Sequence, residues 1–176
     1  MKLQKNPNYW SCLPTAFAMA VDKPVIWFIQ QIGHPGAEEP YDVPGLKAGF
    51  HEQECIEVLQ KIGLACTPIE LGPTISPYPD GHDAKPIFFG LGLEDNWARL
   101  LRHLNETRGV ITGLYRKPSD PNKIIGHAVA WCDKEQSVYD PNFGGRVYPL
   151  TEAYKYGFIP RCFWKLQKVD SGKLHG

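Results

Sequence analysis

Apolar residues recur at helical spacing in three segments of the N-terminal third of the chain. The spacing predicts helices over residues 12–21, 25–32 and 52–62. Ser11 is a residue type that caps helix N-termini, so we expect it to cap the first helix. The second segment is apolar almost all round, which is typical of a buried helix. Gly63 follows the third segment and is expected to end that helix.

Beyond Gly109 the apolar pattern changes to the two-residue period of β-strands. Five strands are predicted there, at residues 110–115, 127–132, 137–140, 146–148 and 161–166. One more strand is predicted earlier in the chain, at residues 64–71. Two further helices are predicted, one from Asp95 to Gly109 and a short one from Thr151 to Tyr156. Helices first and antiparallel strands later form an α+β pattern.

Two segments rich in glycine and proline interrupt this pattern. Residues 33–49 and 72–93 are predicted to be long loops that border a substrate cleft. No repeat, composition shift or linker divides the chain into two units. We therefore predict a single domain over residues 1–167, followed by a flexible polar tail at residues 168–176.

Length and charge exclude several classes of protein. The chain has 176 residues, of which 43% are apolar and 22% charged, and its formal net charge is zero. Without a basic block, neither nucleic acid nor an anionic membrane is expected as a partner. The segment after Met1 lacks the apolar core of a signal peptide, and no stretch approaches the ~18 apolar residues of a membrane span. We therefore expect a cytoplasmic protein.

The five cysteines are an odd number without a C-x-x-C pair: Cys12, Cys55, Cys66, Cys132 and Cys162. This pattern argues against a disulfide framework and for a reducing compartment. His51 and Cys55 stand four residues apart and Cys66 follows, which is conceivable as a metal site. A place on a helix surface or in the core explains these three residues better, so no metal and no cofactor is predicted.

Cys12 stands where a loop rich in turn formers meets the first predicted helix. Unpaired N–H groups and the helix dipole at such a position favour a thiolate. Far downstream, His127 opens an apolar strand behind Gly126, and Asp140 ends the next strand. A cysteine, a histidine and an acid are the parts of a thiol nucleophile with its base and its orienting group.

The hairpin formed by these two strands sets the predicted distance between His127 and Asp140. A turn centred near residues 134–135 places position 127 opposite roughly position 142. Asp140 is then two residues out of direct register with His127, on the same face and within diagonal reach. There it can accept the Nδ1–H of the histidine and fix its tautomer. Asn142 lies nearly opposite His127 and is a rival for that role.

These residues resemble the papain-like cysteine peptidases, closest to the bacteriocin leader-processing (double-glycine) peptidase branch and its free-standing bacterial and phage relatives. The matching motifs are Gln4-x7-Cys12-x-Pro14-Thr15-Ala16-x-Ala18-Met19, Gly126-His127-Ala128-Val129-Ala130 and Tyr139-Asp140-Pro141. The resemblance implies a papain-like fold, in which the nucleophile begins the first helix and an antiparallel sheet carries the histidine and the aspartate.

The resemblance also implies an activity, which is hydrolysis of peptide or amide bonds in a peptide or protein substrate. Cys12, His127 and Asp140 match the triad of the family. Gln4 matches the glutamine that helps to form its oxyanion hole. Asn6 and Asn8 carry the same amide group and could take the place of that glutamine.

Three residues are predicted to border the substrate: Trp10, Leu13 and Gly126. Core packing is an alternative for Trp10. Many relatives carry glycine directly after the cysteine, where this chain has Leu13, and this departure keeps open a catalytically inactive papain-like module that binds a peptide. A deamidase or an acyltransferase would use the same triad. The sequence does not distinguish these alternatives, and it leaves the oligomeric state open.

Overall fold

Three N-terminal helices pack on a six-stranded antiparallel sheet. The computed structural model of the chain describes residues 1–36, 49–70, 102–116, 124–142 and 144–169. Within these residues the arrangement is the α+β class that the sequence predicts. At this level the predicted fold class is confirmed.

The three helices agree with the predicted segments to within one residue at each end: α1 is Cys12–Ala20, α2 is Val25–Ile32 and α3 is Glu52–Lys61. The predicted cap of α1 is wrong, because no side-chain hydrogen bond caps that helix. The hydroxyl of Ser11 instead donates to the carbonyl oxygen of Asn8, 3.0 Å away, within the preceding turn. Its Oγ accepts the backbone N–H of Asn8 at 3.3 Å, and this bond uses the oxygen that would otherwise cap the helix.

The second helix is less buried than its composition predicts. Val25 and Phe28 are buried, but Ile26 is 55% exposed. The helix covers the core with one face only, so the prediction of an all-round buried helix is wrong. No single helix of the described ranges is long and apolar enough to cross a membrane, and α1 with α2 meets that test only as a pair bent by 114°.

The strands form one sheet in the order β1-β6-β2-β3-β4-β5. Their bounds are Leu64–Glu70 (β1), Gly109–Arg116 (β2), Ile124–Cys132 (β3), Ser137–Asp140 (β4), Arg146–Pro149 (β5) and Phe158–Lys168 (β6). A 3-10 helix, Leu150–Tyr156, joins β5 to β6. Lys168 pairs with Leu64 and belongs to β6. The predicted flexible tail, residues 168–176, therefore begins one residue too early.

The β3–β4 hairpin has the predicted register. Ala130 pairs with Tyr139 and Cys132 pairs with Ser137 across a turn at residues 133–136. Continuing this pairing toward the start of β3 places position 127 opposite position 142. The short polar turn fixes the register, as it does in hairpins generally.

Alternate residues of β3 enter two separate core clusters. Ala128, Ala130 and Cys132 belong to the cluster that contains the buried residues of α1 and α2. Val129 and Trp131 belong to a second cluster with residues of β2, β4 and β6. Because alanine and cysteine side chains are small, α1 can approach β3 closely. This packing brings the start of α1 to the end of the sheet where His127 lies.

Several predicted segments lie partly or wholly outside the described residues. The loop predicted at 33–49 is described only at residues 33–36 and 49, and the loop at 72–93 lies outside altogether. Of the helix predicted from Asp95 to Gly109, residues 102–106 are helical and Leu104 is buried in the second cluster.

Candidate active site

The side chains of His127 and Asp140 form a buried pair at the end of the β3–β4 hairpin. Nε2 of His127 lies 2.9 Å from Oδ1 of Asp140, and the two residues are only 3% and 2% exposed. The diagonal contact that the register predicts is therefore present. The nitrogen differs from the prediction, since Nε2 rather than Nδ1 faces the carboxylate.

Cys12 completes this group from α1. Its side chain is half-buried and shares a hydrogen bond with His127. The thiol therefore belongs to the same group of side chains as the bonded pair of His127 and Asp140. The structure thus brings together one residue from the first helix and two from the hairpin near the other end of the chain.

The pKa of His127 reflects two opposing effects. Burial favours the neutral ring and lowers the pKa, whereas hydrogen bonds to Asp140 and Cys12, with the charges of both groups, raise it. The balance raises the pKa of His127 to about 9. The ring is therefore an imidazolium at neutral pH.

Tyr148 fixes the carboxylate of Asp140 from the neighbouring strand. Its O–H donates to Oδ2 at 3.1 Å, and the backbone N–H of Asn142 donates to Oδ1 at 2.9 Å. Burial, the charge of Asp140 and this hydrogen bond raise the pKa of Tyr148 well above its usual range, so the phenol stays a donor. Sequence reasoning missed Tyr148. The signal was its place one residue before the end of β5, which pairs with β4, on the face of Asp140.

Two aromatic rings enclose the imidazole. The centroid of the Tyr115 ring lies 5.7 Å from that of His127, and the Phe158 centroid lies 5.4 Å away, both in edge-on geometry. Such packing limits rotation of the ring and keeps water from it. These contacts join β2 and β6 to the site, and no pattern in the sequence predicts them.

Asn142 contacts the other nitrogen of His127. Its Nδ2 lies 3.2 Å from Nδ1, and its Oδ1 accepts a hydrogen bond from Nδ2 of Asn6. The backbone N–H of Asn6 also donates to the carbonyl oxygen of Pro141, at 3.2 Å. Asp140 and Asn142, which the sequence set as rivals, therefore touch opposite nitrogens of one ring.

Gln4 lies away from Cys12, and this corrects its predicted role as an oxyanion donor. Its Nε2 donates to the carbonyl oxygen of Lys23 at 2.7 Å, and its Oε1 accepts the backbone N–H of Val25 at 2.8 Å. Both partners follow the C-terminal end of α1, whereas Cys12 begins that helix. At ~1.5 Å per residue the helix itself separates the two positions by more than 10 Å. The N-terminal segment runs antiparallel to α1, so a later residue, Asn6, lies at the site.

The three residues predicted to border a substrate have different surroundings. Trp10 is half-buried, and its ring N–H donates to the carbonyl oxygen of Pro35 at 3.2 Å. Leu13 is 8% exposed and belongs to the first core cluster, so its side chain fills the core instead of facing an open surface. Gly126 is exposed, and a Cβ there would meet no atom within 4 Å. The surface beside His127 is therefore open at Gly126.

Burial makes three of the other cysteines poor nucleophiles. It raises the pKa of Cys55, of Cys66 (to about 12) and of Cys162. Cys55 has no exposed surface and packs in the first core cluster. These thiols are neutral at neutral pH and serve as small apolar side chains.

The described residues contain no group of three or more histidine, cysteine, aspartate or glutamate side chains that could hold a metal ion. His51, considered above as a ligand, instead lies at the N-terminus of α3, where its backbone N–H donates to Oε2 of Glu54 at 2.8 Å.

Comparison with other proteins adds nothing to this geometry. No known protein family, curated protein or solved structure matches the chain. The resemblance to papain-like peptidases stays a prediction from the sequence, and the function has to be argued from the site.

Proposed function

We propose that this protein is a thiol-dependent hydrolase of peptide or amide bonds, with Cys12 as nucleophile, His127 as acid and base, and Asp140 as the orienting group. One observation carries the proposal: a buried imidazole bonds a carboxylate through Nε2 and also interacts with a half-buried cysteine. A buried histidine needs partners for both nitrogens, but a structural role requires no thiol among them.

The first half of the reaction uses the imidazolium. The Cys12 thiolate attacks the substrate carbonyl carbon, and the carbonyl electrons move to the oxygen. As the tetrahedral intermediate collapses, Nδ1 of His127 gives its proton to the leaving amine, and a thioester remains on Cys12. Asp140 holds the ring in place through Nε2 during this transfer.

The second half uses the neutral ring. Nδ1 takes a proton from water, the resulting hydroxide attacks the thioester, and the thiolate leaves as the acid product forms. The imidazolium and the thiolate are then restored together. Two donors are proposed for the oxyanion: the backbone N–H of Cys12, in the first turn of α1, and the side-chain amide of Asn6.

The finer assignment of the fold belongs to the same proposal. A papain-like arrangement requires the nucleophile at the start of a helix that packs on the strand carrying the base. Cys12 begins α1, which packs on β3, and His127 lies near the start of that strand. The antiparallel partner β4 supplies Asp140. These placements support a papain-like fold.

The test is incubation of the protein with a complex peptide mixture and mass spectrometry of the products. We expect new peptide termini with the wild type and with Cys162→Ala, a matched control that removes a thiol from β6. Cys12→Ala is expected to lose all turnover. Deamidated or acylated products lost in Cys12→Ala would show that the same triad serves a deamidase or an acyltransferase.

Peptides retained equally by the wild type and Cys12→Ala, without any product, would contradict the proposal. That result would indicate the catalytically inactive peptide-binding module instead, since binding alone does not require the thiol.

A further inference from the structure

We infer that Asn142 is a positioning residue whose side-chain amide reverses when Nδ1 of His127 gains or loses its proton, and that Asn6 reverses with it. The inference rests on the proposed function, because it assigns the two amides to the same site. It goes further in coupling the charge of the base to the orientation of an oxyanion donor.

The three side chains form a continuous hydrogen-bonded row. Nδ2 of Asn142 faces Nδ1 of His127 at 3.2 Å, while Oδ1 of Asn142 accepts from Nδ2 of Asn6. Backbone bonds anchor both asparagines, since the N–H of Asn142 donates to Asp140 and that of Asn6 donates to Pro141. The side chains can therefore turn about their own bonds while their positions stay fixed.

This row fits only one charge state of the ring. An NH₂ group can donate to Nδ1 only when Nδ1 carries no proton. An imidazolium carries a proton on both nitrogens, and Nε2–H is already given to Asp140. When Nδ1 is protonated, Asn142 has to present Oδ1 to it or lose the contact. The two ends of a carboxamide are nearly equal in shape, so reversal disturbs the packing little.

A buried atom of Asn6 without a partner shows where the reversal leads. Oδ1 of Asn6 is buried and accepts no hydrogen bond in the arrangement above. Once Asn142 has turned, its NH₂ group faces Asn6, and Asn6 satisfies it by offering this Oδ1. The turned row thus gives this buried acceptor a donor, and a buried acceptor without a donor is unfavourable.

The turned state is also the one that the proposed reaction needs at its start. The first step of that reaction uses the imidazolium, and the turned row is the arrangement that fits a proton on Nδ1. The titratable groups facing His127 are Cys12 from α1, Asp140 from β4 and Tyr115 from β2. Among the described residues, the hydrogen bond seen at Nδ1 is the one from Asn142.

The test is a pH titration followed by ¹³C-detected NMR of the asparagine carboxamide carbons, which needs no exchangeable proton. The full chain is used with Cys12→Ala, so that thiol ionisation does not contribute. We expect the Cγ shifts of Asn6 and Asn142 to change with the same midpoint as the ring carbons of His127. The Cγ of Asn8, outside the row, serves as the internal control and should stay constant.

In Asn142→Leu the Asn6 shift should stop following His127, while the His127 ring still titrates. The inference is overturned if His127 titrates in the single variant and the Asn6 and Asn142 carbons do not move. Since that measurement needs no Asn142 substitution, it decides the matter even if Asn142→Leu fails to fold. If the two amides do not reverse, peptide hydrolysis by Cys12 is unaffected. If the proposed hydrolase function is wrong, no hydrolysis is seen, whatever the amides do.

Discussion

At the scale of single residues, both oxygens of the buried Asp140 carboxylate accept hydrogen bonds. Asp140 receives hydrogen bonds from His127, Tyr148 and the backbone of Asn142. These bonds fix the carboxylate in the orientation in which it meets Nε2 of His127. The high pKa of His127 follows from this arrangement as much as from the thiol.

The raised pKa of His127 predicts a pH-dependent stability. Its ordinary value is 6.5 and its value in the folded chain is about 9, so the folded state binds the proton more tightly. The stabilisation is complete below the lower value and is lost as the pH rises toward the higher one. We expect the free energy of unfolding, measured by urea titration, to fall across this range in the wild type.

The same titration of His127→Gln separates this effect from others. The difference in stability between wild type and variant should shrink as the pH rises from 6.5 through about 9. A constant difference across that range would contradict the charged histidine.

At the scale of elements, the N-terminal segment links the two halves of the site. It runs along α1 in the opposite direction, so Gln4 reaches the turn after the helix while Asn6 reaches the loop after β4. The side chain of Gln4 makes two hydrogen bonds to backbone groups at the turn between α1 and α2, namely the carbonyl oxygen of Lys23 and the N–H of Val25. Its role is therefore to hold elements together, and Asn6 is the residue close to the chemistry.

The structural role of Gln4 predicts different effects for two glutamine variants. Gln4→Ala should lower the free energy of unfolding by about 1–3 kcal/mol, because it removes two hydrogen bonds to backbone groups. The rate at which Cys12 reacts with an alkylating agent should not change. Gln53→Ala, at an exposed position of α3, is the matched control and should alter neither quantity. Slower peptide hydrolysis by a fully stable Gln4→Ala would restore Gln4 to the oxyanion hole.

The elements that could be predicted are those set by local pattern. The periods of α1, α3 and the β3–β4 hairpin are short-range signals, and a four-residue turn fixes the hairpin register. The pairing of β1 with β6 joins residues about a hundred positions apart, as in Thr67 with Lys165, and no local signal specifies it. The position of β6 between β1 and β2 was equally beyond the sequence.

At the scale of the whole molecule, the meeting of Cys12 with the hairpin depends on how α1 packs across the sheet. The chemistry of the residue types suggested this meeting, and the small side chains at Ala128 and Ala130 permit it. The contributions of Tyr148 and Phe158 were missed because they depend on strand neighbours that the sequence does not reveal. The error over Gln4 has the same origin, since the path of an irregular segment is a tertiary property.

The most direct measurement is intact-mass labelling of the thiols with limiting iodoacetamide from mildly acidic to mildly alkaline pH, with His127→Ala in parallel. We expect fast modification of Cys12 alone below neutral pH. In His127→Ala this modification should be slower, because the imidazolium is gone. Cys66, whose pKa burial raises to about 12, should remain unlabelled in both proteins. Labelling of Cys12 that is no faster than that of the other cysteines, and that His127→Ala leaves unchanged, would contradict an activated thiolate and with it the proposed enzyme.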